Sequence, residues 1–173
     1  MVGDQEVELL FLLPGVDANR YPYQEEAEYI QSLLENIDGT HIKVSIQQMD
    51  WGPCKEEMEA GNYNLCLKIQ GLPSANPFSL FKGFMYTEGG TNISYGLGYH
   101  NDHVDELIEE EATCLDAGRL TEIYTELQEI SAVDFPNIPV LYSQEVVASS
   151  SDITGYQATV YGLTGFTQVC WAG

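Results

Sequence analysis

The chain has 173 residues, 44% of them apolar, and sets 6 Lys+Arg against 27 Asp+Glu for a formal net charge of -21. That apolar share excludes a disordered acidic tail, and no run approaches the roughly 18 apolar residues of a membrane span. The charge excludes nucleic acid and anionic membrane surfaces, which bind through Lys and Arg; what is left is a soluble acidic domain, one on a prior of roughly 100–200 residues per domain, with enough chain for a core.

Val7–Leu13 is an apolar run closed by Pro14-Gly15 and reads as a buried strand. Over Tyr23–Asp38, Ala27, Ile30, Leu33, Leu34 and Ile37 form the stripe of an amphipathic helix ended by Gly39, with Glu25, Glu26 and Glu28 in its first turns. Ile42–Met49 alternates, Ile42, Val44 and Ile46 against Lys43, Ser45 and Gln47, which predicts a strand with one buried face. Pro53–Ala60 reads as a short helix ended by Gly61, and Tyr63–Ile69 as a third strand.

The stretch 71–90 is irregular, with a helical turn around Phe78–Phe84. Asn101–Leu115 and Arg119–Val133 are two long helices, with stripes Val104, Leu107, Ile108, Ala112, Leu115 and Leu120, Ile123, Tyr124, Leu127, Ile130. Phe135-Pro136 stops the second, Val140–Tyr142 begins another strand, and 144–173 reads as short strands and turns. The opening alternation βαβαβ predicts the α/β class: a largely parallel sheet flanked by helices, in a single domain over 1–173.

Cys54, Cys66, Cys114 and Cys170 have no CxxC or zinc-ribbon spacing and read first as buried free thiols, though a disulfide stays open. Residues 1–6 lack the basic and apolar regions of a signal peptide, so the chain reads as cytosolic or as a piece of a longer exported protein. Its opening directly on a strand points to the second.

Motifs for chemistry are sparse. His100-Asn101-Asp102-His103 stands at a helix start, where Asn101 or Asp102 is more simply an N-cap than a metal ligand. Glu109–Glu111 reads as a solvated helix face. There is no G-x-S-x-G, no H-E-x-x-H and no phosphate loop, and Gly96-Leu97-Gly98 is a weak signal. No catalytic residue, cofactor or metal is expected. Aromatic residues crowd 51–99: Trp51, Tyr63, Phe78, Phe81, Phe84, Tyr86, Tyr95 and Tyr99. The loop after the third strand, 70–77, lies at a carboxyl end, where open α/β sheets bind ligands.

The run A-E-Y-I-Q-S-L-L-E, then I-K-V-S-I-Q-Q-M-D-W, Y-H-N-D-H-V-D-E-L-I-E-E, D-A-G-R-L-T-E-I-Y and F-P-N-I-P-V-L-Y resembles the C-terminal lobe of the family 5 extracellular solute-binding proteins. These are the peptide-, nickel- and oligopeptide-binding components of ABC importers. The resemblance runs from about Val7 to about Trp171 and is most specific over Asn101–Ile108, Asp116–Tyr124 and Pro136–Tyr142, where the family's pattern stands as Asp116, Arg119, Tyr124, Pro136, Ile138 and Pro139. It implies one lobe of a type II periplasmic-binding-protein-like fold, a non-catalytic role, a peptide or other small solute as ligand, and an extracellular or periplasmic location. It implies as partners a missing N-terminal lobe and a membrane ABC permease.

Residues 165–171 would be the strand returning to the hinge, with a homodimer through it as an alternative. Peptide-binding members carry a Trp and an Asp in the loop after the third strand; Gln70 and Pro73 stand at those places here. Candidate ligand-binding residues are therefore Gln70, Ser74, Asn76, Phe78 and Tyr95, with the ligand a peptide held differently or another solute. A protein-interaction or assembly domain and an independent acidic α/β enzyme are the alternatives. The acidic charge is densest over 25–35, 56–59 and 102–129, which reads as solvated outer helices.

Overall fold

A computed structural model describes residues 6–15, 22–69, 71, 76–141, 148–156 and 166–172. Strands β1 (Glu6–Pro14), β2 (His41–Met49) and β3 (Leu65–Cys66) form a parallel sheet in the order β2-β1-β3. Nine register pairs join β1 to β2, from Glu6 opposite His41 to Pro14 opposite Met49. Helix α1 (Tyr23–Glu35) connects β1 to β2 and helix α2 (Trp51–Glu59) connects β2 to β3, the crossover that parallel pairing requires.

The two helices take opposite faces, and the pleat of β1 decides which side chain meets which. Phe11 and Leu13 pack with Ala27 and Val44, against Ile30 and Leu34 of α1. Leu12, between them in sequence, packs with Cys54 and Met58 of α2. Alternate residues of a strand point to opposite faces, so an uninterrupted apolar run is what a doubly covered strand needs.

A second core lies beyond the sheet. Helices α3 (Phe78–Met85), α4 (Gly90–Ser94), α5 (Asp102–Glu111) and α6 (Ala117–Asp134) surround Phe81, Phe84, Met85, Val104, Leu107, Ile108, Ile123 and Leu127. Asn101 caps α5 by accepting from the His103 and Val104 N–H groups, and Asp116 caps α6 by accepting from Arg119. Arg119 grips Glu110 with two bonds of 2.7 Å, tying the helix pair together. Short strands β4 (Ile153–Thr154) and β5 (Cys170–Trp171) form an antiparallel ribbon.

Several expectations change. Helix α1 ends at Glu35, which leaves Ile37 beyond it 46% exposed; Leu33, inside the helix, faces outward at 53% exposed, and the inward face is Tyr23 and Ala27, buried, with Ile30 and Leu34 partly buried. Helix α5 ends at Glu111, which leaves Leu115 99% exposed. The third strand is shorter than 63–69, because the Asn64 side-chain oxygen takes the Leu10 N–H at 2.7 Å where a backbone carbonyl would extend the ladder. Val140 and Leu141 are irregular and exposed, next to Pro139, which has no N–H to donate to a ladder; Tyr142 lies outside the described residues. The strand expected over 165–171 is confined to Cys170–Trp171 and pairs with β4; Gly165 lies outside the described residues. Cys54 is buried, but Cys170 is exposed.

Gly96 closes the approach between the α2 end and the turn after α4. Its φ is 56°, and a Cβ there would stand 2.3 Å from the Met58 carbonyl oxygen. Gly96→Ala is expected to cost about 1–3 kcal/mol in urea denaturation. Gly52→Ala, where no atom lies within 4 Å of the added Cβ, should stay within about 0.5 kcal/mol of the parent. Equal effects at the two positions would contradict the close approach.

Candidate ligand-binding site

A parallel sheet gathers the exits of its strands at one edge. Here that edge presents Gly15 after β1, Asp50 and Trp51 after β2, and Leu67–Ile69 after β3. The edge is knitted by backbone: Gly15 N–H donates to the Met49 carbonyl at 2.7 Å, and Leu67 N–H to the Leu12 carbonyl at 3.3 Å. Tyr23, buried at the start of α1, accepts the Ile69 N–H on its hydroxyl at 3.1 Å, which joins the exits of β1 and β3.

The chemistry at this edge centres on Lys68. Its Nζ stands 3.9 Å from the ring centroid of Tyr95 and 4.6 Å from that of Trp51. Burial lowers its pKa, opposed by the neighbouring Cys66 and Cys54. Beneath it lies a sulfur cluster: the Cys54 and Cys66 thiols approach the Met58 sulfur at 3.9 and 3.7 Å. Burial pushes Cys66 up to about 12 and raises Cys54. Both thiols are therefore neutral packing groups at ordinary pH.

Tyr95 belongs to both cores. Its ring meets Phe84 edge-on at 6.5 Å, and its carbonyl accepts the Tyr63 hydroxyl at 2.6 Å. Asn92 sets the turn that carries it: the buried Asn92 amide donates to the Tyr86, Thr87 and Tyr99 carbonyls at 3.0, 3.3 and 2.7 Å and accepts from the Tyr99 N–H at 3.0 Å.

Of the residues expected from sequence, Tyr95 stands at this edge. Asn76 and Phe78 open α3: Asn76 Oδ1 accepts the Phe78 N–H at 3.0 Å and lies 3.1 Å from the Tyr124 hydroxyl. Phe78 packs on the helical core, with Lys82 Nζ 5.5 Å from its ring centroid. Gln70, Pro73 and Ser74 lie outside the described residues. Sequence reasoning passed over Lys68 and Tyr23. The sequence carries no mark on Lys68, whose setting is made by the rings of Trp51 and Tyr95.

A groove also lies elsewhere. It holds about 590 Å³ between Tyr63, Asn64, Gly98, Tyr99, Asp134 and Phe135, toward the entry side of β3. It is shallow and open, so the exit edge, where parallel sheets place ligands, is the stronger candidate. His100 and His103 bond to Thr87 at 2.8 Å and Glu126 at 2.7 Å, and no three His, Cys, Asp or Glu among the described residues are grouped to hold a metal.

No protein-family model and no curated protein sequence matches the chain significantly. Solved structures do match. A periplasmic binding protein associated with an ABC transporter, DppA from Helicobacter pylori in complex with the peptide STSA, aligns with a TM-score of 0.76 at 21% identity over 96% of this chain and 31% of its own. A dipeptide-binding protein from Pseudoalteromonas sp. SM9913 in complex with Met-Leu gives 0.77 at 17% identity, over 98% and 33%. A periplasmic oligopeptide-binding protein from Thermotoga maritima gives 0.74 at 22%, over 95% and 32%.

The fold is that of a periplasmic binding-protein lobe. The chain spans about a third of the length of these structures, and the family likeness seen in its motifs is a likeness of fold. Within the lobe those motif residues are structural: Asp116 caps α6, Arg119 binds Glu110, and the Tyr124 ring stacks on Phe81 at 6.2 Å.

The site's titrating groups have a checkable consequence. Cys66 and Tyr63 are both raised to about 12 by burial, from 9.0 and 10.0. The folded state keeps protons that the unfolded chain releases, so this stabilisation is complete below pH 9 and is lost as pH climbs toward 12. Urea midpoints should hold steady up to pH 9 and fall above it, and Tyr63→Phe should shallow the fall. At neutral pH a thiol reagent should label Cys170 first and spare Cys54 and Cys66; rapid labelling of all would contradict their burial.

Proposed function

We propose that this chain is the ligand-binding C-terminal lobe of an exported solute-binding protein, delivering a peptide or similar small solute to a membrane ABC permease. The observation that carries the reading is the match over nearly the whole chain to peptide-binding importer components. In this reading the work is conformational. A second lobe closes over ligand held at the strand exits, and closure is favoured by the ligand's differential affinity for the closed state. The protein acts outside the cytoplasmic membrane and makes or breaks no bond.

A run of exposed apolar side chains supports a covering body. Val133, Phe135, Ile138, Val140 and Leu141 are 76%, 59%, 67%, 54% and 57% exposed, and Trp171 on β5 is 77% exposed. Exposed apolar side chains that follow one another in the chain in this way are what a covering surface would bury. The stretch 165–171 would run to the hinge and the first lobe. The exposed ribbon also favours a second reading, assembly through β5; a stable dimer in sedimentation that Trp171→Ser abolishes would support it.

One lobe holds half of the contacts, so its affinity should be near the millimolar range, about -4 kcal/mol. Amide NMR titration with Ala-Ala and Ser-Thr-Ser-Ala should shift the Trp51 indole, Lys68, Ile69 and Tyr95 in fast exchange. Shifts confined to other surfaces, or none, would overturn the peptide-lobe reading. A micromolar constant would overturn the half-site argument.

A further inference from the structure

Three sulfur atoms meet on the α2 side of the sheet. Cys54 and Met58 are four residues apart on α2, so they share one face of that helix. Cys66 comes from β3, where it stands opposite Leu12 of β1 and so joins the sheet face that α2 covers. The Met58 sulfur lies 3.9 Å from the Cys54 sulfur and 3.7 Å from the Cys66 sulfur. Cys54 and Met58 are fully buried, and Cys66 is half-buried. Leu10, Leu12, Met49 and Tyr63 pack around them and bring no carboxylate or imidazole.

Two thiols and a thioether are the soft donors that select a soft transition-metal ion. The spacing fits as well. With metal–sulfur bonds of about 2.3 Å, the sulfurs around one ion stand about 3.8–4.0 Å apart. We propose that Cys54, Met58 and Cys66 form a binding site for a soft monovalent metal ion, copper(I) or silver(I). The charges agree with this choice. Binding displaces one proton from each thiol and moves no electron, and two thiolates around a singly charged ion leave one negative charge. Lys68, whose ammonium acts on both thiols, offsets it. A divalent ion would instead leave a net positive charge in an apolar setting, which is costly. The site stands apart from the peptide-lobe reading, since it lies beneath the strand exits and needs no solute.

The test is an anaerobic titration of the full chain carrying Cys114→Ser and Cys170→Ser, which removes the two thiols outside the cluster. A phosphine keeps the other thiols reduced, copper(I) is the probe, and the chelator bicinchoninate competes for it. One ion per chain should resist the chelator, with an ultraviolet thiolate-to-copper band and the release of two protons. X-ray absorption should show sulfur neighbours alone. Adding Cys54→Ser or Cys66→Ser should abolish both the band and the retained ion. Met58→Leu should weaken retention about tenfold or more, the scale on which even the outer partners of a metal ion count. Zinc(II) at equal concentration should leave the copper(I) in place. Loss of all copper(I) to the chelator, nitrogen or oxygen neighbours in the absorption spectrum, displacement by zinc(II), or equal retention after Cys54→Ser overturns the proposal. Should the serine variants at 54 and 66 unfold, X-ray absorption before and after Met58→Leu decides the matter: a shell without three sulfurs, or retention unchanged by Met58→Leu, overturns it.

Discussion

The burial of β1 from both sides is the constraint on which the rest depends. Leu12 and Leu13 are fully buried on opposite faces, one against α2 and the other against α1. Each helix is needed to cover a face that the other cannot reach. Because both cover the same strand, both connections must be crossovers and both neighbouring strands must run parallel to β1. Parallel strands end together, and their common edge then carries Trp51, Lys68 and the Tyr23 hydroxyl. Position in the fold therefore follows from packing, before any ligand is considered. The edge strand β2 is finished in the same economy: Gln31 donates to the Val44 carbonyl at 2.6 Å and Glu35 accepts the Val44 N–H at 2.9 Å.

The two cores meet through Tyr95. It packs against the α2-side sheet cluster and against the helical cluster, and Lys68 lies on its ring. Asn92 holds the turn in place from within, with four hydrogen bonds in a setting where an unpaired amide would be costly. The helical layer thus reaches the exit edge through one side chain. The acidic helices stand outside this junction, with Glu109, Glu110, Glu122 and Glu129 among their exposed residues. Solvated charge there and a lone lysine inside are two results of one distribution.

Much of this order was legible in the residues. The apolar run of β1, the alternation of β2, and the glycines after α1 and α2 led to βαβαβ, because period and punctuation are local properties. The helix ends were harder. Ile37 and Leu115 fit a helical stripe by spacing, but Asn36 and Ala112 already stand at the helix ends, beyond which the periodicity has no physical meaning; Leu33 lies inside α1 and turns outward all the same. Helix α4 has five residues and no stripe to detect. At the site, Tyr95 could be singled out as an aromatic near a loop. Lys68 could not, since its importance comes from Trp51 and Tyr95 converging on it from 17 and 27 residues away, which follows from their numbers in the sequence. Asn76 was legible as a polar loop residue, while its bond to Phe78 at the start of α3 was not.

Native-state hydrogen exchange tests the central constraint most directly. If β1 is the strand that both faces lock, the amides of Phe11, Leu12 and Leu13 should exchange only through global unfolding, tracking the stability measured by urea. The amides of the β4–β5 ribbon should exchange through small local openings. Exchange of the β1 amides at rates like those of the ribbon would contradict the account, because the strand exits could then not be held at one edge by the burial of β1.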